Sequence, residues 1–466
     1  MSGNPAPQRG NLDNEEAMAR KIILSILIAT LLAFVFVTYV AVLRTDYQVT
    51  SAFVNVSMVV LFSFLVLLII RFFILIYLSY LHHLDRSRTP DYLAEYLARP
   101  ETMTLPPVSI IVPSYNEGVV IESSIRSLLN LQYPDLEILV IDDGSTDDTY
   151  TRAKRYEGRN GRTLVRVMRK RNGGKGDALN YGIAASKGEF VLTVDADSRL
   201  EPASLLYAVQ HFKNPRVGAV AGNVKVGNRH KLITKMQALE YIEGLNMVRR
   251  SQGYFSAVNI IPGPLGLFRR SVLDEVGYYE LDTFAEDCDI TIKILIHGWK
   301  IEYEPFAITW TEAPETLRDF LRQRYRWTRG ILQSLRKHLP SLFKGVGFVN
   351  TFMLWYMAFE SLVWPIMNIF AQVYFLYIVI FFDLAKFVIF WWGQLTVLDI
   401  VVAMFCLSME RESMKLVPYS ILYRIYFVVL TDVCKVIASV EELLKVRMNW
   451  GKLDRTGSMG EAQGKP

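Results

Sequence analysis

Residues 108–145 read VSIIVPSYNEGVVIESSIRSLLNLQYPDLEILVIDDGS. Val108–Val112 is a short β-branched run closed by Pro113, which predicts a buried strand. Ile121, Ile125, Leu128 and Leu129 then recur at i, i+4, i+7 and i+8, one face of a helix. Tyr133-Pro134 reads as a turn, and Leu136–Ile141 as a second strand. The same rhythm continues outward. Thr163–Met168 predicts a strand, Asp177–Ser186 a helix and Glu189–Val194 a further strand. Strands alternating with helices at short spacing predict an α/β domain with a mostly parallel sheet and helices on both faces. Ligands in such sheets bind beyond the carboxyl ends of the strands.

The residues at those ends are acidic or polar. Pro113-Ser-Tyr115-Asn116-Glu117 follows the first strand, Asp142-Asp143-Gly144-Ser145 the second, and Asp195-Ala-Asp197 the strand of residues 189–194. Asp195 and Asp197 stand two apart in an extended segment, so both can face one cation as the strand ends. A hard divalent ion takes carboxylate and diphosphate oxygens together. Each acidic pair alone also has an ordinary explanation, since Asp is common in turns. Their recurrence at neighbouring strand ends favours a site.

Three further segments carry chemistry. Arg171-Asn-Gly-Gly-Lys175-Gly opens a helix whose backbone N–H groups suit a phosphate, although its spacing is not that of a Walker loop. Phe284-Ala-Glu286-Asp287-Cys288-Asp289 places three carboxylates before an apolar run; one of them can act as a general base, or all can serve the helix dipole. Gln323, Arg326 and Trp327 lie on one helix face at i, i+3 and i+4. An arginine there suits phosphate and an indole suits a sugar ring. Arg318, Arg322, Arg324 and Arg329 surround them, and a basic helix touching anionic lipid is the plainer explanation of these.

Further out, the chain turns apolar at both ends. Residues 22–43 are 22 uncharged residues, enough to cross a bilayer, and 52–70 begin a second run that continues to Leu81. The first is longer than a signal-peptide core, and no small-residue cleavage site follows it, so both are expected to stay as spans. A less uniform apolar block covers 347–440, interrupted by Glu360, Pro365, Asp399, Arg424, Asp432 and Lys435. The expected division is a cytoplasmic segment at 1–21, two transmembrane helices in 22–81, a cytoplasmic domain at 83–343, about four crossings in 347–440 and a cytoplasmic tail at 441–466. Arg86, Arg88, Arg336, Lys337, Lys445 and Arg447 flank the apolar blocks and orient the domain to the cytoplasmic side of an inner or plasma membrane. Arg424, Asp432 and Lys435 fall within about 80° of one another on a helix. They either line a polar route or pack against other polar groups, or Asp432 and Lys435 pair internally at i, i+3.

The whole chain of 466 residues is 51% hydrophobic and 21% charged, which excludes a disordered protein. Three cysteines exclude a disulfide scaffold and a four-cysteine zinc site. A net charge of +5 is too small for this length to argue for nucleic acid.

Together, Asp-Asp-Gly-Ser, Asp-x-Asp, Glu-Asp and Gln-x-x-Arg-Trp, in this order between apolar blocks, resemble the family 2 glycosyltransferases of GT-A fold. The resemblance is strongest to the membrane-embedded branch of cellulose, hyaluronan, chitin and poly-N-acetylglucosamine synthases. It implies an inverting transferase that uses a UDP-sugar donor and Mg²⁺ or Mn²⁺ to extend a β-linked polysaccharide, processively and coupled to export. Tyr115, Glu117, Asp142, Asp143, Lys175 and Asp195 would hold the nucleotide. Asp195 and Asp197 would serve the metal, and Asp287 would be the base. Gln323, Arg326 and Trp327, with Glu286, would meet diphosphate and acceptor. Gly263-Pro264-Leu265-Gly266 resembles a hyaluronan synthase loop near the acceptor. Membrane lipids and the growing chain are the implied partners, with an accessory export subunit left open. Two other readings stay open: a single-addition transferase acting on a lipid acceptor, and a non-catalytic membrane subunit or transporter.

Overall fold

The computed structural model describes residues 52–88, 92–98, 105–345, 347–382 and 385–447, with a few isolated positions besides. The expected segment at 1–21, the first span at 22–43 and most of the tail lie outside the described residues.

Among the described residues nine strands form one sheet in the order β3-β4-β2-β1-β5-β8-β7-β9-β6. They are β1 (Val108–Ser114), β2 (Glu137–Asp142), β3 (Gly158–Asn160), β4 (Thr163–Arg169), β5 (Phe190–Thr193), β6 (Arg199–Leu200), β7 (Val217–Val226), β8 (Gly266–Arg269) and β9 (Lys300–Thr311). The strands foreseen from the sequence, β1, β2, β4 and β5, are mutually parallel. The sheet as a whole is mixed, which corrects the expectation of a mostly parallel one. β8 runs against both β5 and β7, β3 against β4, and β6 against β9. The cause lies after β7. The chain leaves the sheet for a long helix and loop and re-enters at the same end, so β8 runs antiparallel to β7.

All seven residues of β1 are buried, and they alternate between two cores. Ile110 and Val112 pack with Ile138, Val140 and Leu192 against helix α1 (Ile121–Leu129), through its Ile121, Ile125 and Leu128. Ile111 packs with Leu139 and Ile141 against helix α2 (Lys175–Ala185), through Leu179 and Ile183. Each such side chain contributes roughly 1.5–3 kcal/mol on burial. Gly182 lets α2 come this close: a Cβ there would sit 2.5 Å from Ile111 Cγ2. The second core also takes in helix α3 (Glu286–Ile296), through Ile290, Ile292 and Ile294.

Among the described residues three helical stretches are long and apolar enough to cross a membrane: Val56–Arg88, Phe348–Phe382 and Val388–Met409. The Phe348–Phe382 stretch carries a π-helical turn at Phe359–Val363, immediately before Pro365. A proline removes one backbone donor and crowds the preceding turn, and the wider turn accommodates it. The last run, from Tyr419 to Leu443, is helical with its own π-turn at Tyr423–Phe427. Its Arg424 and Asp432 have partners on other helices. Arg424 Nε lies 2.5 Å from Asp399 Oδ2, and Asn368 Nδ2 donates to Asp432 Oδ2 at 2.8 Å.

The turn after Met409 reaches back to the sheet. Glu410 accepts from Arg250 Nη2 at 2.6 Å and from Asn223 Nδ2 at 2.5 Å. Glu412 accepts from Arg229 Nη1 at 2.6 Å and faces Lys225 Nζ at 3.0 Å. Asn223 and Lys225 belong to β7, so this clasp ties the apolar helices to the α/β domain.

Helix α4 (Leu317–Lys337) begins at Thr316, whose hydroxyl accepts from Asp319 N at 3.1 Å. Two of its arginines are buried against carboxylates: Arg324 on Glu240, and Arg329 Nε at 2.8 Å from Glu442. Lipid contact is therefore not the role of these two.

Candidate active site

β5 ends at Thr193, and two residues later Asp195 leaves the sheet edge. The first residue of α2 is Lys175, preceded by Gly174 at φ +91°, a conformation that favours glycine. Its ammonium lies 2.8 Å from Asp195 Oδ1 and 2.7 Å from Glu286 Oε1. Helix α3 opens with Glu286 and Asp287, where acids suit the positive end of the helix dipole. Asp287 Oδ1 accepts from the Cys288 amide at 2.8 Å. These groups line a pocket of about 260 Å³, together with Pro113, Thr193, Gly263 and Tyr279.

The pocket sets the charge of its members. Burial, reinforced by the negative charge of Glu286, raises the Asp287 carboxyl to about 6, and Lys175 opposes that rise. Burial would lower the Lys175 ammonium, but Asp195, Glu286 and Asp287 together hold it well above the usual lysine value. A carboxylate with a value near neutrality can accept a proton from a hydroxyl and return it to water.

Gly263 is the member of its loop that faces the pocket. A Cβ at this position would stand 2.7 Å from Lys175 Nζ and 3.1 Å from Asp195 Oδ2. Leu265 is buried in the core, Gly266 opens β8, and Pro264 is half-buried. Loop and strand residues here position Gly263; only Gly263 among the four lines the pocket.

The acids at the end of β2 are engaged differently. Asp142 is fully buried, accepts from Ser145 N at 3.3 Å and pairs with Arg169 Nε at 3.0 Å. Asp143 accepts from Gly173 N at 3.0 Å, Gly174 N at 2.8 Å and Lys170 Nζ at 2.7 Å. It thereby pins the loop that delivers Lys175. Tyr115 is exposed, Asn116 adopts φ +53°, and the Glu117 amide donates to Thr149 Oγ1 at 2.7 Å. These residues lie along the same sheet edge but do not line the 260 Å³ pocket.

Gln323, Arg326 and Trp327 share a face of α4 and also stand apart from that pocket. Gln323 is buried and accepts from Arg324 Nη1 at 2.6 Å. The cation over the Trp327 ring is Arg324, at 4.2 Å. Tyr241 flanks the same indole, ring to ring at 6.5 Å.

Tyr279 had no sequence signal. Asn180 of α2 holds its backbone on both sides, donating to Tyr279 O at 2.7 Å and accepting from Tyr279 N at 3.0 Å. Burial pushes its phenol well above the ordinary value.

Among the described residues no group of three or more His, Cys, Asp or Glu is arranged around a common metal position. The carboxylates that the sequence offers for a metal are two, and only Asp195 lines the pocket. Asp195 faces the pocket, and Asp197 is buried, with the Ser198 hydroxyl 3.1 Å from its Oδ1. Such a pair fits Mg²⁺ or Mn²⁺, which commonly take one or two carboxylates and complete their shell with phosphate oxygens and water.

Residues 106–330 match the family model described as "Glycosyltransferase like family 2". They form a family 2 glycosyltransferase domain. Over 235 residues the chain is 35% identical to a poly-beta-1,6-N-acetyl-D-glucosamine synthase of Staphylococcus epidermidis, covering 50% of this chain and 57% of the relative. A synthase of the same description from Staphylococcus aureus (strain COL) is 33% identical over 257 residues, covering 55% and 61%. The chain thus spans about three fifths of the length of these curated relatives. The glycosyltransferase domain and its flanking helices also resemble a mannosyltransferase from Pyrobaculum calidifontis solved in complex with GDP-Man and Mn2+. That likeness covers 80% of this chain and 100% of the other, at 21% identity and a TM-score of 0.58, and it establishes a GT-A-like fold.

Proposed function

We propose that this chain is a membrane-embedded, inverting glycosyltransferase that extends a β-linked polysaccharide from a UDP-sugar donor, with UDP-N-acetylglucosamine the first candidate. The observation that carries this proposal is the pocket holding Asp287, Glu286, Lys175 and Asp195 at the carboxyl edge of the sheet. The curated relatives suggest the sugar.

In this reading Asp287 takes the proton from an acceptor hydroxyl as its oxygen attacks the anomeric carbon. The new C–O bond forms as the bond to the β-phosphate oxygen breaks, and UDP leaves. One base and no second carboxylate nucleophile gives a single displacement with inversion. Lys175 and Arg326 would bind diphosphate oxygens, and Asp195 and Asp197 would hold a divalent ion there. When bound, that ion supplies positive charge to the leaving diphosphate. Tyr115, Glu117 and the Asp142–Asp143 turn would shape the nucleotide side, and Trp327 would stack on the acceptor sugar.

Processive extension with export is the further part of the proposal. Supporting it, a cavity of about 530 Å³ between the apolar helices is lined by Asn368, Gln372, Arg424 and Asp432 beside Trp391. Polar groups at such depth face a bundle interior or a wet path. Orientation of the catalytic domain to the cytoplasm follows from the flanking basic residues.

The test is purified full chain with a panel of UDP-sugars and Mg²⁺ or Mn²⁺, scored for UDP release and product size. Long polymer from one donor is the expected result. A product carrying one added sugar on lipid would replace polymerisation with single addition, and absence of turnover with every donor would overturn the enzyme proposal.

A further inference from the structure

The helix from Leu232 to Gly253 follows β7 and is widened by a π-turn at Tyr241–Asn246. Such turns interrupt the regular ladder and occur often at functional sites. Three residues beyond it stands Arg249, only 8% exposed. Its guanidinium has five N–H donors. They make two hydrogen bonds, both long and both to neutral acceptors: Nε to Ile260 O at 3.3 Å, and Nη1 to Asn246 Oδ1 at 3.4 Å.

The other buried arginines differ. Among the described residues Arg86, Arg250, Arg324 and Arg329 are equally buried, and each lies against a carboxylate: Glu304, Glu410, Glu240 and Glu442. No carboxylate of the described residues lies within ion-pair distance of Arg249. A buried cation left with unused donors is destabilising unless something else meets it.

Its surroundings indicate what that is. Ile260, whose carbonyl it holds, immediately precedes the pocket wall of Ile261, Pro262 and Gly263. Besides burial, Tyr303, Tyr241 and the pocket carboxylate Asp287 act on the Arg249 charge. Tyr241, on the π-turn, flanks the Trp327 ring at 6.5 Å, and Arg324, Glu240, Asp197 and Arg249 all act on its buried phenol. Arg249, Tyr241 and Trp327 thus bring a guanidinium, a phenol and an indole together outside the lining itself, with the guanidinium tied to the residue that leads into the pocket wall. That combination recognises a polyhydroxylated ring: the donors meet hydroxyl oxygens and the aromatics meet its apolar face.

We infer that Arg249 is an acceptor-binding residue, donating hydrogen bonds to hydroxyl oxygens of the acceptor sugar so that the attacking hydroxyl is held at Asp287. This rests on the glycosyltransferase proposal above. Donor phosphates are left to Lys175 and its neighbours, so Arg249 affects acceptor binding and spares donor binding.

The experiment uses the full-length chain with UDP-N-acetylglucosamine and a soluble β-linked N-acetylglucosamine tetramer as acceptor. UDP release is followed with and without the tetramer. For Arg249→Gln the acceptor KM should rise at least tenfold, while donor KM stays within twofold of wild type. Arg249→Lys should fall between the two. Unchanged acceptor KM in both variants overturns the inference, and so does a donor KM that rises in step with it. If Arg249→Gln loses its thermal unfolding transition, Arg249→Lys decides by the same KM comparison. A wild-type chain that releases no UDP from any donor removes the underlying proposal instead, which is a distinguishable failure.

Discussion

Asp142–Asp143 at the end of β2 and Glu286–Asp287 at the start of α3 are both adjacent acids at the edge of one sheet. The first pair is consumed by the fold. Backbone amides of Gly173 and Gly174, Lys170 and Arg169 take its oxygens, so it acts by placing the loop before Lys175. The second pair meets one ammonium, Lys175, and one amide, and it faces a cavity. The difference is in the number of donors surrounding each carboxylate. A pair held by backbone amides and fixed cations is a structural tie; Asp287, which accepts from a single amide, can take up and return a proton.

The contrast is easiest to break at its chemical end. Asp287→Asn keeps the shape and removes the proton acceptor, so turnover should fall by about 10²–10⁴-fold. UDP affinity, measured by calorimetry, should stay within twofold; retained turnover rejects Asp287 as the base. Asp143→Ala tests the structural end. It strips the loop of two backbone hydrogen bonds and an ion pair, and hydrogen bonds to charged groups contribute roughly 1.5–3 kcal/mol each. Thermal unfolding should therefore shift down by several degrees, and donor KM should rise with it. If stability holds and only donor binding weakens, Asp143 belongs with the ligand contacts instead.

The pH profile separates the pairs more finely. Asp287 works as a base only when deprotonated, and its carboxyl sits at about 6. The rate should thus be level above that value and fall about tenfold per pH unit below it. Lys175 stabilises the charged form, so Lys175→Met should move this acid limb to higher pH. A limb that stays in place would show that another group titrates. The smallest effect is expected for Gly263→Ala, whose new methyl would press on Lys175 and Asp195. Donor KM should rise a few-fold with the fold intact, as read by an unchanged unfolding temperature.

Much of this was legible from residue patterns, because strands buried on both faces and amphipathic helices leave strong signals. Val108–Val112 and Leu136–Ile141 became β1 and β2, and the carboxylates after them fell at one sheet edge. The other half of the sheet was silent. β7, GAVAGNVKV after Val217, mixes glycines and an asparagine into a fully buried strand, and only its partners β8 and β9 define it. On the site, spacing along a helix identified a face but not the neighbours of that face. Arg324, which helical spacing did not single out, stacks on Trp327, and Glu240 on another helix holds it there. Arg249 and Tyr279 had no local signal at all, since their environments are assembled from segments far apart in the chain.

The Glu410–Glu412 clasp has a practical consequence for dissecting the molecule. Composition suggests cutting the glycosyltransferase domain away after about residue 344 to obtain a soluble fragment. That cut would remove the counter-ions of Arg250, Lys225 and Arg229, two of which are almost wholly buried. Breaking a buried ion pair by removing one partner costs about 3–5 kcal/mol, a large share of the stability of an ordinary domain. The unit that folds therefore extends past the unit that does chemistry, and a fragment meant for crystallisation or for an assay in water should carry residues 385–412 along with it.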